Sequence, residues 1–414
     1  MQGHFNMQQK ELIPHLFRTE FGRITAVLCK LFGFENVNVA EDITSETFLA
    51  ALDTWPYKGI PENPQAWLYT VAKNKAKNSL TRNQLFDQKI SPAVQAEHPT
   101  EDVMEIDLTD RNISDSQLQM LFAVCHPSIP PEAQIGLALR ILCGFGIDEI
   151  AHAFLSNKET INKRLFRAKE KLRAERVKME FPAENELKAR LQPVLTTLYL
   201  LFNEGYYSET ENEILRKDLC DEAMRLLKML MAYPLTNKPE VNALYALMCF
   251  QASRFAARKD KNGEVVLYED QEESLWDKEL IAIGALHLNM AAHGSYLSKY
   301  HLEASIAYWH TIKADTPEKW ENILYLYNHL LVIEYSPVAA LNRTYALAKV
   351  KGNGVAIIEA EKLNLINNPF YHTLLGELYK DIDALKAKEH LLSALRLTKT
   401  DTDKKTIYAK IEAL

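Results

Sequence analysis

Little in this chain of 414 residues can turn sharply. Glycine occurs 14 times, and with frequent Ala, Leu, Lys and Glu that scarcity disfavours a turn-rich all-β architecture and favours helices. The five cysteines (Cys29, Cys125, Cys143, Cys220, Cys249) lie far apart, form no C-x-x-C pair and are odd in number. A disulfide framework or zinc cluster is therefore not expected, and a reducing compartment is. No run approaches the roughly eighteen apolar residues of a spanning helix, and Met1 to Lys10 is polar rather than signal-like. The expectation is a cytoplasmic protein without a membrane partner. A Gly-rich phosphate loop is missing as well. The twelve histidines are scattered, and His126, between Cys125 and Pro127, has no partner at metal or nucleophile spacing. Neither an enzyme nor a cofactor or metal is expected.

What is present is ordinary in bulk and uneven in detail. An apolar fraction of 47% and a charged fraction of 25% are those of a folded chain, and the length corresponds to about three domains at roughly 150 residues each. The formal net charge of -7, taken alone, argues against nucleic acid, because Lys and Arg on phosphates supply most non-specific affinity. The distribution argues the other way. Lys158 to Lys178 holds nine basic residues against three acidic ones. Lys73, Lys75, Lys77, Arg82 and Lys89 form a second basic stretch against Asp87 alone, whereas acids gather in Glu97 to Asp115 and the C-terminal half. Charge is segregated by segment.

Helical periodicity divides the chain into an all-α series. Residues 10–90 read as three or four helices. The first carries Leu12, Leu16, Phe21, Ile24, Leu28 and Leu31 and ends near Gly33; a second spans Glu41 to Leu52 with Ile43, Phe48 and Leu52 near one stripe. Trp55-Pro56 and Gly59 to Pro64 are read as loop, and Gln65 to Arg82 as helix again. Residues 91–115, with Pro92, Pro99, Glu101, Asp102, Glu105, Asp107 and Asp110, read as an acidic linker. A second helical unit, 116–180, is punctuated by His126 to Pro131 and by Gly144 and Gly146. From 185 to 414 the pattern is almost continuously helical, with turn signals at Pro234, Lys261 to Gly263, Pro317, Pro337 and Gly352 to Gly354. Near 337–400, Leu341, Tyr345, Ala360 and Leu363 recur as Leu375, Tyr379, Ala394 and Leu397, an offset of roughly 34 residues, the length of a tetratricopeptide helix pair.

Three constellations carry functional chemistry. In Gly144 to Arg173, Ile147, Ile150, Ala151 and Phe154 make a short helix, Leu155 to Asn157 a turn, and Ile161, Leu165, Ala168 and Leu172 the buried stripe of a second helix. That second helix carries Lys158, Thr160, Asn162, Lys163, Arg164, Arg167, Lys169 and Lys171 on its other faces. This is a helix-turn-helix pattern, whose second helix enters the major groove with side chains on base edges and cations on phosphates. A lone basic helix is commonly just a solvated face; the short first helix and tight turn shift the balance to DNA. In Asn63 to Arg82, Lys73, Asn74, Lys77, Asn78 and Arg82 project beside Trp67, a combination suited to melted DNA, although Trp67 on its own is more often a core residue. In Ala40 to Ala51, an acidic and apolar helix offers Asp42, Glu46 and Phe48 to a partner's helices.

In this order the segments resemble the extracytoplasmic-function sigma factors. Glu41-Asp42, Ser45-Glu46-Thr47-Phe48 and Trp67-Leu68-Tyr69-Thr70-Val71-Ala72-Lys73-Asn74 resemble that family's region 2, and Ile147 to Arg173 its region 4. Leu198 to Tyr206, Glu269-Asp270-Gln271 through Trp276-Asp277, and Ser336 to Arg343 are similar to the subgroup with a long tetratricopeptide-like C-terminal domain. Ser45, Lys73 and Asn78 depart from the residues usual there, as does the turn Lys351-Gly352-Asn353-Gly354.

The resemblance implies a promoter-recognition subunit of RNA polymerase. Asp42, Glu46 and Phe48 would dock on the clamp helices of the β′ subunit. Trp67, Lys73, Asn74, Lys77, Asn78 and Arg82 would meet the minus-ten element; Lys158, Thr160, Asn162, Lys163, Arg164, Arg167 and Lys171 would meet the minus-thirty-five element, with the β flap as a second polymerase contact. The C-terminal helices would regulate or assist in cis, through a protein or ligand partner left open. A competing reading is a one-component repressor or activator that uses the same helix-turn-helix without polymerase; a third makes the helical repeat an adaptor.

Overall fold

A computed structural model of the chain describes the backbone of residues 2–90, 106–154, 156–207, 213–258, 266, 268–294, 296–398 and 401–414, all of it helix and connecting turn. The acids up to Glu105, Leu155 of the short turn and the turn signal at Lys261 to Gly263 lie outside these residues. The contacts divide the chain into two compact units, Met1–Leu230 and Met231–Leu414.

The first unit begins with α1 (Gln2–Phe32), a one-turn 3-10 segment (Phe34–Asn36), α2 (Val37–Lys58) and α3 (Pro64–Ile90). Trp55-Pro56, read from the sequence as loop, is instead the last turn of α2, with Gly59 N–H closing on the Trp55 carbonyl at 3.0 Å. Proline is tolerated there because Trp55 is buried in the core and only one backbone bond near a helix end is lost. Asn63 caps α3, its Oδ1 accepting from Ala66 N–H at 2.9 Å. The linker expected to reach residue 115 is shorter: Thr109 caps α4 (Asp110–Val124), and Asp110 and Asp115 ride on that helix. A carboxylate in a first turn favours the helix dipole, so acids that look like linker are here a helix start.

There follow α5 (Pro131–Leu137), a π-helical turn (Ala138–Leu142), α6 (Ile147–Ala153), α7 (Lys158–Ala174), α8 (Glu184–Tyr207) and α9 (Glu213–Ala232). Residues 10–90 and 116–180, read as separate domains, share one core. The π turn brings the Leu142 carbonyl against Gly22 of α1, where a Cβ would lie 2.0 Å from that oxygen; only glycine permits this approach. Nor does the unit end near 180. The α8 residues Arg190 and Thr197 bond to the Phe122 carbonyl and to Gln134 Oε1, each at 2.8 Å. Thr197 and Gln134 are buried, and polar groups satisfied this way hold α8 to the helices before it.

In the second unit the described helices are α10 (Pro239–Ala252), α11 (Lys278–Ala291), α12 (Lys299–Trp309), α13 (Pro317–Ile333), α14 (Pro337–Lys351), α15 (Asn353–Lys362), α16 (Pro369–Tyr379), α17 (Ala384–Leu397) and α18 (Asp401–Glu412). Neighbours in sequence pack on one another. Pro239, Pro317, Pro337 and Pro369 each open a helix, where the missing N–H costs nothing; the sequence breaks at Pro317 and Pro337 are therefore helix starts. The residues spaced by 34 do occupy matching places in part. Leu341 and Leu375 are both buried, as are Ala360 and Ala394, but Tyr379 belongs to the core around Leu341 and Leu375 while Tyr345 packs on the Trp320 cluster.

Candidate nucleic-acid interface

Three helical faces of the first unit carry the residues singled out from the sequence. On α2 the inward stripe is Ala40, Ile43, Thr44, Thr47, Phe48, Ala51 and Trp55, all buried. Thr44 and Thr47 are neutralised by donating to the carbonyls four residues back, each at 2.8 Å. Phe48 is a correction to the sequence reading. It is 3% exposed and stands edge-on to Phe17, centroids 4.9 Å apart, so it supports the helix from inside and presents nothing to a partner. Asp42 and Glu46 do face out, Glu46 paired with Lys75 of α3 at 2.9 Å. The apolar surface beside them belongs to Leu49, Leu52 and Tyr57, the last 90% exposed. The spacing from Asp42 and Glu46 to Leu49 and Asp53 was the signal that would have found this face, since these residues follow one another at helical steps of three and four.

On α3, Leu68, Ala72 and Ala76 are fully buried, which turns Asn74, Lys77, Asn78 and Arg82 outward and leaves Lys73 partly covered. Trp67 is half-buried, its ring 5.4 Å from the buried Trp55. It is a wall beside the basic face rather than a free stacking plate. A polar knot fixes the start of this helix on α1. The Tyr69 hydroxyl donates to Glu20 Oε2 at 2.7 Å, and Gln65 Nε2 donates to Glu20 at 3.2 Å and to the Tyr69 hydroxyl at 2.8 Å. Burial and the Glu20 carboxylate push the Tyr69 phenol well above its usual range, so it stays a donor.

The third face is built by α6 and α7. Glu149 accepts from Gly146 N–H at 2.6 Å and also takes Arg18 at 2.6 Å, pinning α6 to α1. Asn157 caps α7 through Thr160 N–H at 2.8 Å. Ile161, Leu165, Ala168 and Leu172 are buried, so Thr160, Asn162, Lys163 and Arg167 are exposed and Arg164 is half-exposed. Among the described residues Lys163, Arg164 and Arg167 make no ion pair, whereas Lys158 pairs with Asp148 at 3.0 Å and Lys171 with Glu175 at 2.7 Å. Lys171 holds the Glu175 carboxyl below its usual range. Phe166, 64% exposed on the same outward face, went unnoticed because an aromatic at helical spacing reads as core.

Two cations of α7 have another use. Lys169 pairs with Glu41 of α2 and donates to Asn38 Oδ1 at 3.0 Å, and Arg173 donates to the Glu35 carbonyl at 3.0 Å. Glu41, buried, also takes Arg140 at 3.2 Å. All five cysteines are free and buried. Among the described residues no cluster of His, Cys, Asp and Glu is placed to hold a metal, and no helix is long and apolar enough to cross a membrane.

Comparison with known proteins bears on the first helices of the chain and on part of its C-terminal half. Residues 16–86, spanning α1 to α3, match the Sigma-70 region 2 model, and residues 190–292 match a family of unknown function, DUF6596. The N-terminal helices are thus a sigma-70 region 2. Over 360 residues, 84% of this chain and 83% of the relative, the sequence is 36% identical to the uncharacterized protein R00370 of Rhizobium meliloti strain 1021. The chain belongs to the family of that protein. It is also 32% identical over 138 residues, 31% of this chain and 47% of the relative, to the ECF RNA polymerase sigma factor BldN of Streptomyces coelicolor. No solved structure matches the chain.

Proposed function

We propose that the chain is an extracytoplasmic-function sigma factor, which binds core RNA polymerase and directs initiation at specific promoters, with its C-terminal helices regulating or assisting in cis. The observation that carries this reading is the pairing of a sigma-70 region 2 with a second basic face on α7, whose Lys163, Arg164 and Arg167 have no acidic partners among the described residues. Unpaired cations opposite a buried stripe, after a short helix and a turn, are the makings of a helix-turn-helix reader. In this reading Asp42 and Glu46, with Leu49 in place of Phe48, meet the polymerase clamp helices. Lys73, Asn74, Lys77, Asn78 and Arg82, walled by Trp67, meet the minus-ten element; Lys158, Thr160, Asn162, Lys163, Arg164, Arg167 and Lys171 meet the minus-thirty-five element. Lys158 and Lys171 exchange exposed intramolecular pairs for phosphates, a small loss because such pairs are worth under about 1 kcal/mol. The α14–α17 pairs, with Leu341, Leu375, Ala360 and Ala394 buried at the 34-residue offset, are consistent with a tetratricopeptide-like interaction module.

The test is run-off transcription from the upstream region of the chain's own gene, with core polymerase and with or without the purified protein. A transcript with a defined start that appears only with the protein is expected. Tight duplex binding without polymerase, and no transcript, would instead establish a one-component regulator.

A further inference from the structure

The strip Tyr268 to Asp277 matches no residue of the proposed promoter machinery, yet the second unit folds its most unusual electrostatics around it. Lys319 is 1% exposed. Its ammonium donates to the Tyr268 hydroxyl at 3.0 Å and to the Ile312 carbonyl at 2.6 Å, and among the described residues no carboxylate lies within ion-pair distance. Arg254 approaches the same Tyr268 ring, its guanidinium carbon 5.4 Å from the centroid against 5.2 Å for the Lys319 ammonium. The Arg254 Nε is buried without an acceptor, as is the indole N–H of Trp276, a side chain 3% exposed and stacked on Tyr268 at 6.1 Å. Arg254 and Trp276 are held side by side, because Asp277 N–H bonds to the Ser253 carbonyl at 2.8 Å.

The carboxylates in the neighbourhood are committed elsewhere. Asp315 receives Trp320 Nε1 and Lys349, Glu269 receives the Tyr345 hydroxyl, and Glu273 pairs with Lys278. Two cations and an orphan indole donor therefore crowd one ring, with no carboxylate among the described residues in direct contact with either cation and only Asp315, itself bonded to Trp320 and Lys349, acting on Lys319 from farther off. Aromatic faces offset part of that cost, but a buried charge without a partner ordinarily costs several kcal/mol, and unsatisfied buried donors are rare enough to require an explanation. His310, edge-on to Tyr268 at 5.3 Å, responds to the same field: burial, Arg254 and Lys319 push its imidazole down to about 3.

We infer that Arg254, Tyr268, Gln271, Trp276 and Lys319 form a binding site for a small oxyanion in the C-terminal unit. The anion takes hydrogen bonds from Arg254 Nε and Trp276 Nε1 and neutralises the Arg254 and Lys319 charges. Gln271 refines the ligand. Its Oε1 is buried without a donor, which calls for a hydroxyl on the same ligand; hydrogenphosphate and citrate carry one, sulfate and acetate do not. The site would give the helical extension a small-molecule input, whatever the first unit does with DNA.

The test uses the full-length protein and its tryptophan fluorescence, the Trp276 part taken as the difference from Trp276→Phe because the chain has five tryptophans, titrated with inorganic phosphate, citrate, sulfate and acetate at ionic strength held constant with chloride. Expected is a saturable change with phosphate or citrate, the stronger of the two naming a phosphoryl or a carboxyl ligand, and at least tenfold weaker response to sulfate and acetate. Arg254→Met and Lys319→Met should each weaken it at least tenfold, while Lys386→Met, whose ammonium lies over Tyr379 in α16, should leave it unchanged. Should Arg254→Met fail to fold, Tyr268→Phe, which keeps the ring and deletes the hydroxyl bound by Lys319, serves in its place. No saturable response to any probe, or the same response in Lys319→Met as in wild type, overturns the site; an adventitious ion only would show as equal responses to all four anions.

Discussion

The two units place the basic residues that matter for binding differently: outward on helix faces in the first, around the Tyr268 ring in the second. In the first, Lys163, Arg164, Arg167, Lys77 and Arg82 stand on helix faces away from the core, most of them exposed; of its cations turned inward, Lys169 and Arg140 meet a buried carboxylate in Glu41, Arg18 lies over Phe145 and pairs with Glu149, and Arg190 donates to the Phe122 carbonyl. In the second, cations fold over rings: Arg254 and Lys319 over Tyr268, Lys349 over Trp320 and Tyr345, Lys386 over Tyr379. A count of Lys and Arg cannot separate these cases. Placement does, because a cation without an acidic partner is available to a phosphate when exposed and demands an anion when buried.

The comparison breaks hardest at the glycines that let helices touch. In the first unit a methyl at position 22 would strike the Leu142 backbone carbonyl; in the second, a methyl at position 376 would meet the Leu391 side chain, its Cγ at 2.7 Å. Backbone cannot step aside and a side chain can. Gly22→Ala should cost about 3 kcal/mol and Gly376→Ala about 1 kcal/mol, read as loss of stability in denaturant unfolding of the full chain. Equal costs would mean that α1 and the π turn yield as easily as two leucine-lined helices.

Next in size is the exposed basic face. Lys163→Ala with Arg167→Ala should lower affinity for promoter duplex by about 2 kcal/mol and reduce the salt slope of log affinity by about 2, each phosphate contact contributing roughly 0.9. An unchanged slope would remove α7 from the DNA. A base-reading role for Arg164 is separable, since Arg164→Ala should then flatten sequence preference at one position rather than weaken all sequences alike.

How much of this was legible follows from where the periodicity was strong. Ile161, Leu165, Ala168 and Leu172 mark one stripe of α7, and both the helix and its outward cations follow from that stripe. On α2 the apolar residues Phe48, Leu49 and Leu52 point in different directions, so Phe48 was assigned to the surface although its ring fills the core beside Phe17. The end of the acidic segment was misplaced because Asp110 and Asp115 look alike in a linker and in the first turns of a helix capped by Thr109. The shared core of residues 10–90 and 116–180 was illegible altogether. It rests on a missing Cβ at Gly22 and on the buried Glu41 between Lys169 and Arg140, contacts between residues more than ninety apart that no local pattern records.

A smaller effect sharpens the account of the second unit through pH. The folded His310 sits at about 3, below the ordinary value near 6.5, so the unfolded chain takes up a proton there that the folded chain refuses. Stability from this group is full above about pH 6.5 and falls as the pH drops towards 3, by at most about 1.4 kcal/mol per unit. Asp315, held below its usual range by Trp320 and Lys349, adds to the loss lower still. Between pH 7 and 5 the loss from His310 should be on the order of 1 kcal/mol after allowance for its partial exposure. His310→Gln should flatten the profile by that amount. An identical slope in the variant would mean the imidazole is charged in the folded state.

The smallest expected effect discriminates best. Lys319→Met keeps the length of the side chain and removes a buried charge that, among the described residues, has no carboxylate in direct contact. Two hydrogen bonds are lost, to the Tyr268 hydroxyl and to the Ile312 carbonyl, but that hydroxyl still donates to the His310 carbonyl at 3.0 Å and reaches the Ile312 carbonyl at 3.4 Å. Losing the shorter of the two bonds to that carbonyl costs about 1 kcal/mol, and relief of the charge offsets a similar amount. Stability in anion-free buffer should therefore stay within about 1 kcal/mol of wild type, and duplex affinity should not move. Lys163→Met, chemically the same substitution, should leave stability alone and weaken duplex binding by about 1 kcal/mol. If both variants lost DNA affinity equally, inward and outward cations would not be distinct classes. If Lys319→Met instead unfolded the second unit, the ammonium would be a required cross-brace of Tyr268 and Ile312, and the electrostatic cost assigned to it would be smaller than that of the two hydrogen bonds it makes.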